Sequence, residues 1–274
     1  MDVFYINLDK ADDRRAFMEA QGAARGVALT RLRATEPGDL QPGEYERFQA
    51  MWERKLTANE IALLRSHGAL WRLALDRPEG LIVLEDDAVL SPRFASVIER
   101  LPTGYDLINL EDFGRRKFFA RKPDHQADDF SVTRVMRDKT GSAAYHVSPA
   151  GAAKLLALAE RTAAPSDAFL FGVARLTMAQ VEPALAQQAH ILTERGFDPG
   201  IVISTSINKD RIGAPKERKS AAFRRRRVMT QIRLAGLHLR RLGDIVLRPA
   251  TFDDAEFRAI LPIRWTVQAA SHRP

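Results

Sequence analysis

Residues 81–90, LIVLEDDAVL, place an apolar run directly before three adjacent carboxylates. An apolar run between Gly80 and the acids is typical of a buried strand, and open α/β sheets bind ligands at the carboxyl ends of such strands. Three acids this close repel one another, at roughly 4 kcal/mol per pair at 4 Å with an effective dielectric near 20. We therefore expect a cation at Glu85, Asp86 and Asp87, which we call the acid triplet.

Oxygen ligands suit a hard divalent ion such as Mg²⁺ or Mn²⁺, which proteins usually share with the phosphates of a substrate. Alternation along an extended strand puts Glu85 and Asp87 on one face and Asp86 on the other. Glu85 and Asp87 are thus the expected metal ligands. The alternative is that the acids decorate the start of a helix with Ser91 as its N-cap and Pro92 in its first turn, where the helix dipole favours negative charge.

Composition bounds the class of protein. The 274 residues are 45% hydrophobic and 28% charged, which is ordinary for a globular protein. There is no cysteine, so disulfides and thiolate metal sites are excluded. The opening segment, MDVFYINLDK, lacks the order of a signal peptide, and no apolar run approaches about 18 residues. We expect a cytoplasmic protein that does not span a membrane.

Hydrophobic periodicity predicts strands that alternate with helices, which indicates an α/β fold with a mostly parallel sheet. The clearest helix begins at Thr57, which forms a capping-box pattern with Glu60, and it ends near Pro78. Ser148 and Pro149 mark the start of another helix. The predicted strands cover residues 3–8, 29–34, 81–84, 106–110, 132–136 and 143–147, and the remaining predicted helices cover 11–25, a segment after Ser91, and 150–160.

Basic residues are concentrated near the C-terminus. Residues 211–248 contain 12 Lys or Arg against two acids, whereas the whole chain has 42 against 35. Within 220–242 an apolar stripe opposes a row of arginines, which is typical of a helix on an anionic membrane surface, here the inner face of the cytoplasmic membrane. The alternatives are a helix packed on the domain with solvated arginines, and a nucleic-acid contact, which the scarcity of aromatic residues disfavours.

Four segments in order resemble glycosyltransferase family 25, the group of bacterial lipooligosaccharide β-galactosyltransferases and collagen galactosyltransferases. They are VFYINLDKADDRR, LTANEIALLRSHGALWR, LIVLEDDAVLSPRF and GSAAYHVSPAGAAKLL. The resemblance covers about residues 2–207, and the basic tail lies outside it. It implies a GT-A type fold with a Rossmann-like nucleotide-binding sheet over residues 1–207, followed by a basic, partly helical extension over 208–274.

The resemblance implies transfer of a hexose from a nucleotide-activated sugar, with inversion at the anomeric carbon. The acid triplet then corresponds to the family's DxD-like motif, with Glu85 and Asp87 binding Mn²⁺ or Mg²⁺ and Asp86 beside the donor. We expect UDP-galactose as the donor, and a glycan or glycolipid of the lipopolysaccharide type as the acceptor.

The resemblance also assigns residues to the donor. Asn7, Leu8 and either Arg14 or Arg15 are expected to hold the nucleotide, the alternative being that both arginines are solvated. His67 belongs to a matching Ser-His pair, so we expect it to contact the donor or to orient Glu85 rather than to be a structural histidine.

The donor-side helix also departs from the family pattern. Asn59 and the pair Ala62-Leu63 stand where the family has Gly and Gly-Cys. The donor contacts near this helix are therefore expected to differ from those of the family.

An inverting transfer needs a general base, normally Asp or Glu. Asp167, in PSDAFLF, is the first candidate because it occupies the family's late acid position, although Ser166 or Asp167 is also placed to cap a helix. Glu111 and Asp112, which end the next predicted strand, are the other candidates.

Two further groups of residues have roles by resemblance. Tyr145 and Ser148 match a Tyr-x-x-Ser motif and are expected to be structural. The late polar residues Gln187, Gln188 and His190 are candidates for completing the metal or diphosphate site.

Two rival classes of function remain open. A metal-dependent phosphohydrolase also uses acids at strand ends, and it releases phosphate without a sugar acceptor. A non-enzymatic adaptor built around the arginine-rich tail is the other rival.

Overall fold

A computed structural model describes residues 1–138, 141–202 and 244–266, with four positions, 223, 225, 228 and 229, between the last two ranges. The basic helix predicted over 220–242 lies outside the described residues except for those four positions.

The strands of the described residues follow the order that the periodicity predicted, with β4 added directly after β3 and further strands added after residue 110. They are β1 (Val3–Asn7), β2 (Leu29–Arg33), β3 (Leu81–Glu85), β4 (Ala88–Leu90), β5 (Leu107–Asn109), β6 (Arg116–Ala120), β7 (His125–Gln126), β8 (Ser131–Arg137), β9 (Ala144–Val147), β10 (Met178–Glu182), β11 (Ala186–Gln188) and β12 (Ile245–Pro249).

One large sheet has the strand order β12-β6-β8-β10-β5-β9-β3-β1-β2, with β7 against β8, and β11 pairs with β4 in a small second sheet. β2, β1 and β3 are parallel, as are β5 and β10. β9 runs antiparallel between β3 and β5. The predicted α/β, Rossmann-like fold is confirmed, and the parallel arrangement is found in β2–β1–β3 and in β5–β10.

Helices cover both faces of the large sheet. They are α1 (Asp12–Arg25), α2 (Glu44–Phe48), α3 (Ala58–Leu75), α4 (Phe94–Ile98), α5 (Pro149–Ala159), α6 (Ser166–Ala168), α7 (Ala189–Glu194) and α8 (Asp254–Arg258), with a 3₁₀ turn at Pro37–Asp39 and a π turn at Phe169–Val173. None of the helices in the described ranges is long and apolar enough to cross a membrane.

Local signals at four helix starts have different outcomes. Thr57 and Glu60 form the predicted capping box of α3, and Ser148 accepts a hydrogen bond from the backbone of α5 as its N-cap. Ser91 is not the N-cap of α4, which is Arg93. The Ser91 hydroxyl donates to Glu256 and accepts a hydrogen bond from the backbone of Arg93 in the turn before the helix. The N-cap of α6 is Pro165, so neither Ser166 nor Asp167 caps that helix.

Side chains of each strand alternate between two cores. Val3 and Tyr5 of β1 pack with α1 and α4 on one face, whereas Phe4 and Ile6 pack with α3 and α5 on the other. Strand alternation produces this division, and burial of both faces is usual for parallel strands. β3 divides in the same way, so the strand that carries the acid triplet is held from both sides.

Gly151 lets α5 approach β5 closely. A Cβ atom at this position would lie 2.1 Å from the carbonyl oxygen of Asp106, a distance no side chain tolerates. The small residue in the GSAAYHVSPAGAAKLL segment thus sets the spacing between α5 and the sheet.

The C-terminal segment belongs to the same core as the rest of the described chain. β12 pairs with β6 at the sheet edge, and Phe257 is fully buried. Arg248 forms an ion pair with Glu182 of β10. The predicted boundary between the domain (1–207) and the C-terminal extension (208–274) stays a prediction. The β12 strand of that extension packs on the sheet.

Candidate active site

The acid triplet lies where β3 ends, and only its first member is in the strand. Asp86 and Asp87 form a turn between β3 and β4. The expected alternation, with Glu85 and Asp87 on one strand face, was therefore wrong, because the extended backbone stops at Glu85. The helix-start alternative also fails, because β4 and Ser91 separate the acids from α4.

The acid triplet forms one wall of an open cleft at the carboxyl edge of the sheet. The parallel register brings Ile6 opposite Glu85 and Asn7 opposite Arg33, so the ends of β1, β2 and β3 meet there. The cleft is open to solvent and has a cavity volume of about 200 Å³. It is lined by Ile6, Leu8, Lys10, Arg14, Ala34, Thr35, Glu36, Pro37, Asn59, Leu63, Ser66, Glu85, Asp86 and Asp87.

The N-terminal motif is bound to Asp86. Asn7 Nδ2 donates to Asp86 Oδ2 at 2.7 Å, and Arg14 Nη1 lies 2.9 Å from Asp86 Oδ1. Burial raises the pKa of Asp86 to about 6, against the opposing effects of Arg14 and Asn7. The structure separates the two arginines, since Arg14 lines the cleft whereas Arg15 is half exposed and pairs with Glu19.

Glu85 has different partners from Asp86. The Ser142 hydroxyl donates to Glu85 Oε1 at 2.6 Å, and His67 Nε2 lies 3.5 Å from the same oxygen. Burial alone would raise the pKa of Glu85, but His67 and Ser142 lower it. Glu85 is therefore the acid of the triplet that the protein holds ionised.

Asp87 is the acid whose charge the protein does not balance. Burial raises its pKa well above the usual range, and the charges of Glu85 and Asp86 raise it further. Its Oδ1 is buried and has no hydrogen-bond partner in the part of the chain that the structure describes. A carboxylate in these surroundings fits a bound cation.

Within residues 1–138, 141–202 and 244–266, no three His, Asp or Glu side chains are arranged to hold a metal ion by themselves. Any ion at Glu85 and Asp87 would therefore take its remaining ligands from outside the described residues, for example from a substrate or water. The paired acids and the unpartnered oxygen of Asp87 fit that kind of open site.

His67 is fully buried behind Glu85 rather than exposed in the cleft. Its Nδ1 lies 2.9 Å from the Tyr145 hydroxyl, which also accepts a hydrogen bond from Trp71 Nε1. Of the two expected roles of His67, this position favours orientation of Glu85 over direct contact with the donor.

The candidate bases lie in different surroundings. Glu111 is fully buried, and burial raises its pKa well above the usual range. Asp112 is also buried, and it accepts hydrogen bonds from the backbone of Gly114 and from Gln187 Nε2. Asp167 is half-buried and does not line the cleft.

The three late polar residues, Gln187, Gln188 and His190, also lie in different surroundings. Gln187 is buried against Asp112, whereas His190 lies close enough to Glu85 for its charge to lower the pKa of that acid. Nδ1 of His190 is buried without a partner among the described side chains. Gln188 begins the turn into α7 as its N-cap residue.

Two contacts of the site were missed in the sequence. Ser142 binds Glu85, and Arg31 Nε donates to Asn7 Oδ1 at 2.8 Å. Ser142 lies in the GSAAYHV part of a family-like segment, which was a usable signal. No sequence signal pointed to Arg31, because its contact with Asn7 depends on β2 lying beside β1.

A Rossmann-like sheet with a polar cleft at the carboxyl ends of its parallel strands is an arrangement that commonly binds a nucleotide. The chain belongs to glycosyltransferase family 25 (LPS biosynthesis protein), which matches residues 1–170. All four family-like segments fall within that range, and the membership implies a nucleotide-sugar donor and a glycan acceptor. No curated protein matches the chain.

Proposed function

We propose that the chain is a metal-dependent, inverting hexosyltransferase that moves galactose from UDP-galactose to a saccharide acceptor of a lipopolysaccharide-type glycan. The observation that carries the proposal is Asp87, a buried carboxylate beside two other acids with an oxygen that lacks a partner among the described residues. A divalent cation would relieve that repulsion.

Glu85 and Asp87 are the proposed ligands of Mn²⁺ or Mg²⁺. Such ions commonly take one or two protein carboxylates and complete their shell with substrate phosphates and water. When bound, the ion supplies Lewis-acid stabilisation to the departing diphosphate. Ser142 and His67 hold Glu85 ionised, which keeps one ligand ready for the ion.

The nucleotide is proposed to lie in the cleft beside the N-terminal motif. Ile6, Leu8 and Leu63 offer apolar surface to a base or ribose, and Arg14 offers a cation to the diphosphate. Asp86 holds the Arg14 guanidinium at 2.9 Å, so the arginine is fixed before the donor binds. A fixed guanidinium loses less side-chain entropy on binding phosphate than a free one.

Asp167 is the proposed general base. It is the candidate that solvent reaches, whereas Glu111 and Asp112 are buried. The base has to accept the proton of the acceptor hydroxyl while that oxygen attacks the anomeric carbon from the face opposite to UDP. In an inverting transfer the base therefore has to lie on the opposite side of the sugar from the acid triplet.

Peripheral attachment to the inner face of the cytoplasmic membrane is proposed for the arginine-rich segment 220–242. Deleting residues 215–274 would not test this attachment cleanly, because β12 and Phe257 belong to the core. Replacing Arg224 to Arg227 by Glu is better, since it reverses the charge and leaves β12 and Phe257 in place. Loss of binding to vesicles with anionic lipid, with binding of UDP kept, supports the proposal, and unchanged binding contradicts it.

A transfer assay tests the proposed function. The full chain is incubated with a panel of UDP-hexoses, a lipopolysaccharide-core acceptor and Mn²⁺, and the product linkage is read by NMR. We expect a β-linked galactoside from UDP-α-galactose, and no product in excess EDTA. Retention of the α configuration, activity in EDTA, or preference for another sugar contradicts the corresponding part of the proposal. Phosphate release without an acceptor indicates a phosphohydrolase.

A further inference from the structure

Behind Glu85, three fully buried side chains form a hydrogen-bonded row. Trp71 Nε1 lies 2.9 Å from Tyr145 Oη, and Tyr145 Oη lies 2.9 Å from His67 Nδ1. The exposed fractions of all three residues are 0%. At the end of the row, His67 Nε2 lies 3.5 Å from Glu85 Oε1.

The direction of this row follows from the donors and acceptors. An indole N–H only donates, so Trp71 donates to Tyr145. The Tyr145 hydroxyl then has one proton to place, and in the described ranges its other hydrogen-bond contact is His67 Nδ1. Leaving a buried hydroxyl proton without an acceptor is unfavourable, so Tyr145 donates to Nδ1. The imidazole proton is therefore on Nε2, the nitrogen that faces Glu85.

We propose that Tyr145 is a positioning residue for sugar transfer, because it holds His67 in the Nε2–H tautomer and so directs an N–H group at the Glu85 carboxylate. The proposal rests on the proposed function, in which Glu85 binds the cation. Both Ser142 Oγ and His67 Nε2 face Oε1 of Glu85, which leaves Oε2 free of these two donors. Partners that orient metal-binding carboxylates in this way commonly change metal affinity or activity by about 10–100-fold when they are removed.

His67 Nε2 has no hydrogen bond within ordinary limits, although it is buried. Catalytic hydrogen bonds are often long before the substrate binds and shorten in the complex. The Nε2–H group is thus placed to close on Glu85 when the donor is bound, and the tautomer that makes this possible is fixed in advance by Tyr145.

Two variants separate a positioning role from simple packing. Tyr145→Phe keeps the ring and removes the hydroxyl, so neither His67 Nδ1 nor Trp71 Nε1 keeps its partner. Trp71→Phe is the control, because it removes one of the same two hydrogen bonds and disturbs the same buried cluster. The Tyr145 proton still has only His67 Nδ1 to bind among its contacts in that variant. Both variants disturb the same core, but only Tyr145→Phe removes the contact that fixes the tautomer of His67.

Long-range ¹H–¹⁵N spectra of the histidine rings read the tautomer in the full chain, with His67→Gln used to assign the signal among the six histidines. We expect the Nε2–H pattern in the wild type and in Trp71→Phe, and loss of that pattern in Tyr145→Phe. We also expect kcat/KM for the donor to fall by about 10–100-fold in Tyr145→Phe and by much less in Trp71→Phe.

The spectra need neither metal nor donor, so failures of the two proposals are distinguishable. An Nδ1–H tautomer in the wild type, an unchanged tautomer in Tyr145→Phe, or equal activity losses in both variants overturns the role of Tyr145. A wild type with the Nε2–H tautomer but no transferase activity instead overturns the proposed function on which that role depends.

Discussion

Asn7 Nδ2 donates a hydrogen bond to Asp86 Oδ2 at 2.7 Å and joins the end of the first strand to the acid triplet 79 residues later. The opposite end of the same amide accepts from Arg31, so Asn7 links β1, β2 and the turn after β3. Both oxygens of Asp86 bind Asn7 and Arg14, whereas Glu85 and Asp87 are the two acids proposed to bind the cation.

Replacing Asn7 by Ala tests this link. The change leaves Asp86 and Arg31 each without one buried partner, and the typical cost is about 1–3 kcal/mol of unfolding free energy. We expect a lower urea midpoint and weaker donor binding. The control is Arg15→Ala, which alters only an exposed ion pair with Glu19 and should change stability by less than about 1 kcal/mol. Equal effects of the two substitutions contradict the role of Asn7.

The base assignment predicts different effects for two acid-to-amide changes. Asp167→Asn should lower kcat by roughly 10²–10⁴-fold with little effect on binding of UDP, because only the proton acceptor is removed. Asp112→Asn should retain more activity, because Asp112 is buried against Gln187 and Gly114. Single-turnover rates and UDP titrations measure both. A larger loss of kcat in Asp112→Asn transfers the role to Asp112.

The approach of α5 to the sheet predicts a severe effect at Gly151. In Gly151→Ala the new methyl group meets the carbonyl of Asp106, and overpacking of this kind costs about 1–3 kcal/mol or more. Gly172→Ala is the matched control, since nothing lies within 4 Å of a Cβ atom there. Thermal unfolding should show a lower Tm for the first variant alone, and equal Tm values would contradict the close approach.

The ion pair between Glu182 and Arg248 predicts a pH dependence. Burial alone would raise the pKa of Glu182, but Arg248 and the backbone of Thr251 lower it. A carboxylate with a lowered folded-state pKa stabilises the fold above its unfolded pKa of about 4.5, and this contribution is lost as the pH falls through the folded value.

Glu182→Gln should therefore be less stable than the wild type at pH 7, by about 1–3 kcal/mol, and the difference should shrink below about pH 4. Urea unfolding of both proteins across this range measures the difference. A constant difference at all pH values would show that packing, and not charge, accounts for the loss.

Much of the fold was predictable because its signals are local. The capping box at Thr57, the Ser148-Pro149 helix start and the buried strand before Glu85 each depend on neighbouring residues, and each is confirmed. Their order was sufficient to predict an α/β fold and the sheet edge at which polar residues meet, and the family resemblance added the Rossmann-like arrangement.

The rest depends on contacts between distant segments. The turn at Asp86 and Asp87 forms because β4 leaves the large sheet and pairs with β11, about a hundred residues later. The insertion of β9 between β3 and β5, and of β12 at the far edge, likewise left no local trace. Arg14 and Arg15 were equivalent in the sequence, and only the packing of α1 turns Arg14 toward Asp86.

The most direct measurement is calorimetric titration of UDP into the full chain with Mn²⁺ and with EDTA, for the wild type, Asp87→Asn and Asp86→Asn. We expect binding that requires Mn²⁺ in the wild type, loss of that requirement together with most of the affinity in Asp87→Asn, and retained Mn²⁺-dependent binding in Asp86→Asn. UDP binding of equal strength in Mn²⁺ and EDTA, or a wild-type response in Asp87→Asn, would contradict this expectation.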